Sequence, residues 1–249
     1  MEQRYFKYLN ERVRLEPKDL PPAFRTAKYL HFVCSPTRAL VIQSQLATPH
    51  DEVSPTSTSA LPDSAIKHSW DPCLVYEPIP DLCIPEELDS LRQVLPHIKV
   101  FSPNHEEAAS FFGITVDQVK AQGRQGVEQV ANRFFELGAQ DMVVIRSGAW
   151  GAFTLRRGWN EGVWIEAFHK DVNKVKDVTG AGNSFLGGLM AGLVRDPEDL
   201  VQAVQMGSIS ASFTIEQFGL AKLSLDDEGH ELWNGSSAGA RLEDMKRRQ

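Results

Sequence analysis

Four consecutive apolar residues, Met142-Val143-Val144-Ile145, constrain this chain more than any other stretch. A short run that is apolar at every position fits a strand buried on both faces, as in a parallel sheet covered by helices on each side. Other stretches repeat the pattern. Tyr29-Leu30-His31-Phe32-Val33-Cys34 reads as a strand stopped by Ser35-Pro36, and Cys73-Leu74-Val75-Tyr76-Glu77 as a second, ended by Pro78 and Pro80. Ile98-Lys99-Val100-Phe101 is a third. Ala152–Leu155 reads as a return strand, and the alternating Trp164–Phe168 as another.

Helical spacing fills the intervals. Thr37 is placed to cap a helix through Ala39, Leu40, Val41 and Leu46, and Pro85-Glu86-Glu87-Leu88 opens one carrying Leu91, Val94 and Leu95. Further helices are expected over 105–112, 116–122, 124–137 and 184–194, then from Pro197-Glu198-Asp199-Leu200 to about Gln217, with Gly219 as its stop. Strands alternating with helices predict an α/β fold, a three-layer sandwich around a mainly parallel sheet with right-handed crossovers. Residues 1–27 read as an irregular lead-in and 28–220 as the domain, interrupted by a Ser/Thr/Pro-rich surface loop over about 48–64. Residues 221–249 form a tail with a short charged helix from Arg241 to Gln249.

Composition excludes some roles. A net charge of -7 argues against a surface that coats nucleic acid, which needs a basic face. No apolar run is long enough to cross a membrane, and Met1-Glu2-Gln3-Arg4 opens no signal-peptide core. Three cysteines without CxxC spacing (Cys34, Cys73, Cys83) suggest buried thiols in a reducing compartment, and the cytoplasm is the expected location.

The chemistry is concentrated late in the chain. In Asp177-Val178-Thr179-Gly180-Ala181-Gly182-Asn183-Ser184-Phe185, two glycines flank an alanine just before a segment with apolar helical spacing. Such a turn can aim several backbone N–H groups one way, and the helix adds its unpaired first-turn donors and the positive end of its dipole. The expected product is an anion hole at Gly180, Ala181 and Gly182. Ligands of open parallel sheets bind beyond the carboxyl ends of the strands, where two other loops should meet this one. In the first, Pro103-Asn104-His105-Glu106-Glu107, Asn104 and Glu107 also have the spacing of a capping box, and His105 is expected on the surface. The second, Arg146-Ser147-Gly148-Ala149-Trp150-Gly151, reads equally as a plain turn between strands. Gly187/Ala191 and Gly188/Gly192 are pairs of small residues that should permit close helix packing.

Together, Asn104 to Glu107, Gly148 to Gly151 and Asp177 to Phe185 resemble the motifs of the pfkB, or ribokinase-like, carbohydrate kinases. Tyr76-Glu77-Pro78, Ser102-Pro103-Asn104, Asp177–Gly188 and Leu232-Trp233-Asn234-Gly235 look closest to that family's fungal killer-maintenance branch. The resemblance covers roughly 29–219. It implies a protein that binds ATP with Mg²⁺ and transfers the γ-phosphoryl to a sugar or sugar-like hydroxyl. It implies that Asn104, Glu107 and Asp177 organise the metal, that Arg146, Ser147, Gly148, Gly151 and Thr179 lie by the nucleotide, and that Gly180, Ala181 and Gly182 face the transferring phosphoryl.

Three departures temper that expectation. Arg146 stands where threonine is usual, and the family's Gly-Gly sugar-binding section and lid strands have no match in the sequence. Asn183 replaces the catalytic aspartate. A carboxamide cannot accept a proton near neutral pH and can only orient the acceptor hydroxyl, and general-base catalysis is typically worth ~10²–10⁴-fold. A slow kinase and a nucleotide-responsive scaffold without activity both remain open, as does a homodimer or a protein partner.

Overall fold

The computed structural model describes residues 13–47 and 70–248. The loop expected at 48–64 and the first part of the lead-in lie outside the described residues. A six-stranded sheet runs β1 (Tyr29–Cys34), β2 (Cys73–Pro78), β3 (Val100–Phe101), β4 (Met142–Arg146), β5 (Ala152–Arg156) and β6 (Val163–Ile165), in spatial order β1-β2-β3-β4-β5-β6. β1 to β4 pair in parallel, β5 returns antiparallel to β4, and β6 pairs antiparallel with β5. The helices are α1 (Pro36–Ala47), α2 (Leu88–Val94), α3 (His105–Ser110), α4 (Val116–Leu137), α5 (Ala181–Arg195), α6 (Leu200–Thr214) and α7 (Ala238–Arg248). A hairpin of β7 (Leu223–Leu225) and β8 (Glu231–Trp233) stands apart from the main sheet.

Strand alternation sorts the core into two halves. Tyr76, Phe101, Val143 and Ile145 pack with Ala39, Leu91, Val127 and Phe134 of α1, α2 and α4, whereas Val75, Val100, Met142 and Val144 pack with Leu186, Leu189 and Val204 of α5 and α6. Each face of the sheet is thus covered by helices, which gives the expected three layers and explains why β4 is apolar at four successive positions.

Several boundaries differ from the sequence reading for local physical reasons. Ser35, not Thr37, caps α1: its Oγ accepts from Arg38 N at 3.2 Å with Pro36 as the first helical residue, while Thr37 Oγ1 donates to Glu87 Oε2 at 2.8 Å. The boundary expected between 116–122 and 124–137 is found: α4 breaks at Gly123, whose φ of 60° is non-helical and kinks the element into two helices there. β6 stops at Ile165, and Phe168 instead lies beneath the guanidiniums of Arg241 and Arg248, with centroid distances of 4.9 and 4.8 Å. α6 ends at Thr214, short of Gln217, and the tail helix begins at Ala238, earlier than expected.

Cys34 and Cys83 are buried, and burial pushes the Cys34 thiol up to about 12 and Cys83 upward too; all three cysteines are free thiols. No helix among the described residues is long and apolar enough to cross a membrane.

Candidate active site

α5 begins in the way the glycine turn predicts. Gly180 takes φ 82° and ψ -5°, a left-handed conformation that a side chain would strain, and serves as the N-cap. Asp177 Oδ1 accepts from Thr179 N at 3.0 Å, and the N–H groups of Lys176 and Asp177 donate to the Ile215 carbonyl at the end of α6. Of the first-turn amides, Ala181 N donates to Val178 O at 3.1 Å and Ser184 N to Gly180 O at 3.0 Å. Of the expected hole, the Ala181 donor is therefore spent, while the Gly182 amide and, beyond the expected set, the Asn183 amide have no acceptor among the described residues. Asn183 is exposed at this first turn.

The small-residue pairs of α5 separate. A methyl on Gly188 would stand 2.5 Å from Met206 O, and one on Gly192 2.5 Å from Ala203 Cα, so these two glycines let α6 approach. Gly187 and Ala191 face outward.

The loop after β3 carries both the capping box and the site. Asn104 Oδ1 accepts from Glu106 N at 2.9 Å and Glu107 N at 2.8 Å, and Glu107 Oε2 accepts from Asn104 N at 2.7 Å. Arg146 N donates to Pro103 O at 3.1 Å, tying this loop to the end of β4. Ser147 is buried, with its N–H on Gly151 O and its hydroxyl turned back to Ile145 O. Gly148 and Gly151 take φ of 55° and 92°, as the β4–β5 turn requires. His105, expected on the surface, is half-buried against the Trp150 ring, at 5.5 Å between centroids.

Arg146 joins these parts. Its Nη2 lies 2.7 Å from Glu77 Oε1, 3.1 Å from Ser102 O and 3.7 Å from Glu107 Oε2. A methyl on Gly182 would collide with its Nη1, so the guanidinium lies directly against the first turn of α5. His31 Nε2 reaches the other oxygen of Glu77 at 3.2 Å. Residues from β1, β2, the β3–α3 loop, β4 and α5 therefore converge at the carboxyl ends of the parallel strands.

Burial pushes Glu107 up to about 7 against the pull of the Asn104 amide and Arg146. Burial also raises Glu77, but the His31 hydrogen bond and the Arg146 charge outweigh it and hold that carboxyl below its ordinary value. The sequence reading placed Glu77 in the Tyr76-Glu77-Pro78 motif and His31 in the first strand, but gave neither a part in the site. The signal available was a carboxylate closing a strand whose preceding residues are apolar.

Magnesium is poorly served by these groups as they stand. Asn104 Oδ1 and Glu107 Oε2 already accept hydrogen bonds, a guanidinium lies between Glu77 and Glu107, and among the described residues no three His, Cys, Asp or Glu side chains could hold a metal. They do not build a direct coordination shell. Contact through the ion's waters is the arrangement left to them.

A cavity of about 660 Å³ opens beside the next turn of α5, lined by Ser184, Met206, Phe213, Trp233 and Leu242 among others. The hydroxyls of Ser184, Ser210 and Thr214 bond one another along its α5–α6 wall, at 3.0 and 2.7 Å.

An α/β sandwich whose late glycine turn opens a helix over the strand ends defines a ribokinase-like protein. The chain belongs to the pfkB family of carbohydrate kinases, whose profile it matches over residues 38–227. It is 28% identical to an uncharacterized protein of Schizosaccharomyces pombe, over 97% of this chain and 66% of that protein. It is 31% identical to Protein MAK32 of Saccharomyces cerevisiae, over 66% of this chain and 46% of that one. A putative sugar kinase of Clostridium perfringens shares the fold with a TM-score of 0.53 and 18% identity, over 90% of this chain and 56% of that structure. The chain therefore spans from about half to two thirds of the length of these relatives.

Proposed function

We propose that this chain binds ATP with its triphosphate at the first turn of α5 and transfers the γ-phosphoryl slowly to a hydroxyl of a sugar-like acceptor. The observation that carries this reading is the pair of open amides at Gly182 and Asn183 in the first turn of α5, against which the Arg146–Glu77 pair packs. Donors so aimed suit charge developing on a phosphoryl group, and phosphoryl transfer depends mainly on positioning and electrostatic stabilisation. In this reading Gly180, Ala181 and Gly182 shape the phosphate hole, Thr179 and the Arg146-Ser147-Gly148 to Gly151 turn flank the nucleotide, and Asn183 orients the acceptor hydroxyl. Where Mg²⁺ accompanies the nucleotide, Asn104, Glu107 and Asp177 meet its water shell. The cytoplasm, which supplies ATP and keeps thiols reduced, is the compartment this implies.

The carboxamide at 183 favours a second reading, a nucleotide-responsive scaffold without transfer. ADP formation measured with ATP, Mg²⁺ and a panel of sugars and polyols separates the two. Slow release that depends on the acceptor is the expected result. ATP binding by calorimetry without any acceptor-dependent turnover would favour the scaffold, and absence of ATP binding would overturn both.

A further inference from the structure

The β7–β8 hairpin carries an open edge. Asn234 N donates to Lys222 O at 2.8 Å and Asp226 N to His230 O at 3.0 Å, so Lys222, Ser224 and Asp226 turn their backbone groups toward β8. Leu223 and Leu225 therefore turn theirs to the other side, where nothing pairs with them among the described residues. All three residues of β7 are exposed, Leu223 at 54% and Leu225 at 63%. The two leucines share one face of the hairpin, and Lys222, Ser224 and Asp226 share the opposite one. An open edge is a template for a further strand, and a two-stranded ribbon is marginally stable by itself.

The strand that fits this edge is the same strand run backwards. With Lys222-Leu223-Ser224-Leu225-Asp226 laid antiparallel on itself about a two-fold axis at Ser224, Leu223 faces Leu225 of the second copy and Lys222 faces Asp226 of the second copy. Symmetry repeats both pairs, so apolar meets apolar on one face and opposite charges meet on the other. Each Leu223–Leu225 pair then exchanges two backbone hydrogen bonds through the outward groups. A shift by one pairing step sets a leucine opposite Ala221 or Asp227 instead, so the side chains select the register. We propose that the edge of β7 is a self-association surface, on which two copies of this chain join their hairpins into one four-stranded antiparallel sheet. A two-fold contact uses each edge once and closes at the dimer. The surface lies outside the candidate active site and does not depend on the nucleotide reading.

The test is sedimentation equilibrium of the chain from about 1 to 300 µM. The interface is small, so the wild type is expected to pass from monomer to dimer at about tens of micromolar. Leu225→Lys sets an ammonium against Leu223 of the second copy and should weaken the dimer at least about tenfold. The position is exposed, so its circular dichroism should match the wild type. Ser224→Cys reads the register. Facing residues of such a pair lie about 4.5 Å apart at Cα, within reach of a disulfide. With oxidised glutathione it should form a covalent dimer about tenfold faster than Lys222→Cys, whose two copies stand four residues apart along the pairing. A wild type that stays monomeric throughout, a dimer that folded Leu225→Lys leaves intact, or Ser224→Cys linking no faster than Lys222→Cys overturns the proposal.

Discussion

Asn183→Asp is expected to raise acceptor-dependent ADP formation by about a hundredfold or more, the usual worth of a general base. The residue lies exposed in the first turn of α5, next to the open Gly182 amide, so the new carboxylate meets no packed neighbour. A negative charge near a helix N-terminus is also tolerated, contributing about 0.3–1 kcal/mol. Folding should therefore be unharmed, and melting curves of the two proteins should coincide or favour the variant slightly. ATP affinity should stay level or weaken a little, because the carboxylate adds negative charge beside the triphosphate. The gain should appear in kcat and not in KM for ATP, because a base acts only as the hydroxyl attacks. Unchanged turnover in a variant that still binds ATP would mean that the acceptor never reaches this turn, and the scaffold reading would take precedence.

Gly151→Ala is expected to be the most damaging single methyl in the β4–β5 turn, costing roughly 3 kcal/mol or more. Gly151 takes φ 92°, and a Cβ there would collide with Ile165 O and stand 2.8 Å from Ala167 N. Both obstacles are backbone atoms and cannot swing aside. For a chain of this size the melting temperature should fall by roughly 6–12 °C. Gly148 is the internal comparison. It also has positive φ, 55°, but a methyl there meets nothing within 4 Å, so Gly148→Ala should cost only about 1–2 kcal/mol of backbone strain. The pair separates architecture from contact. If Gly151 matters because the turn packs on the end of β6, its variant loses stability first, and ATP affinity measured below the transition changes little.

The fold was readable where burial dictates sequence locally. Met142 to Ile145 announce a strand covered on both faces, and the spacing of Leu186, Leu189 and Leu193 announces the helix beneath it. The β7–β8 hairpin escaped because its residues are mostly exposed and follow no apolar period. It is held instead by local polar contacts: Asp226 Oδ1 accepts from the amides of Glu228 and His230, and Asn234 Nδ2 donates to Phe213 O at 3.0 Å. Asn234, at φ 49°, joins the hairpin to the end of α6, which gives the Leu232-Trp233-Asn234-Gly235 motif its physical content. The boundary of α1 was misplaced because Thr37 has the side chain of a cap but spends it on Glu87, a tertiary contact that no local pattern announces.

In the site, the glycine turn was legible because positive φ demands glycine and because the helix that follows is amphipathic. The tether of Arg146 was not. Glu77 lies 69 residues before it and His31 a further 46, and only the parallel pairing of β1 to β4 brings the three together.

The resting place of a triphosphate is read directly by amide chemical shifts. In ¹⁵N-labelled protein titrated with ATP, the largest changes should fall on the Gly182 and Asn183 amides, the two first-turn donors left open. Changes confined to the lining of the α5–α6–α7 cavity, around Ser210, Trp233 and Leu242, with Gly182 and Asn183 unmoved, would contradict that placement.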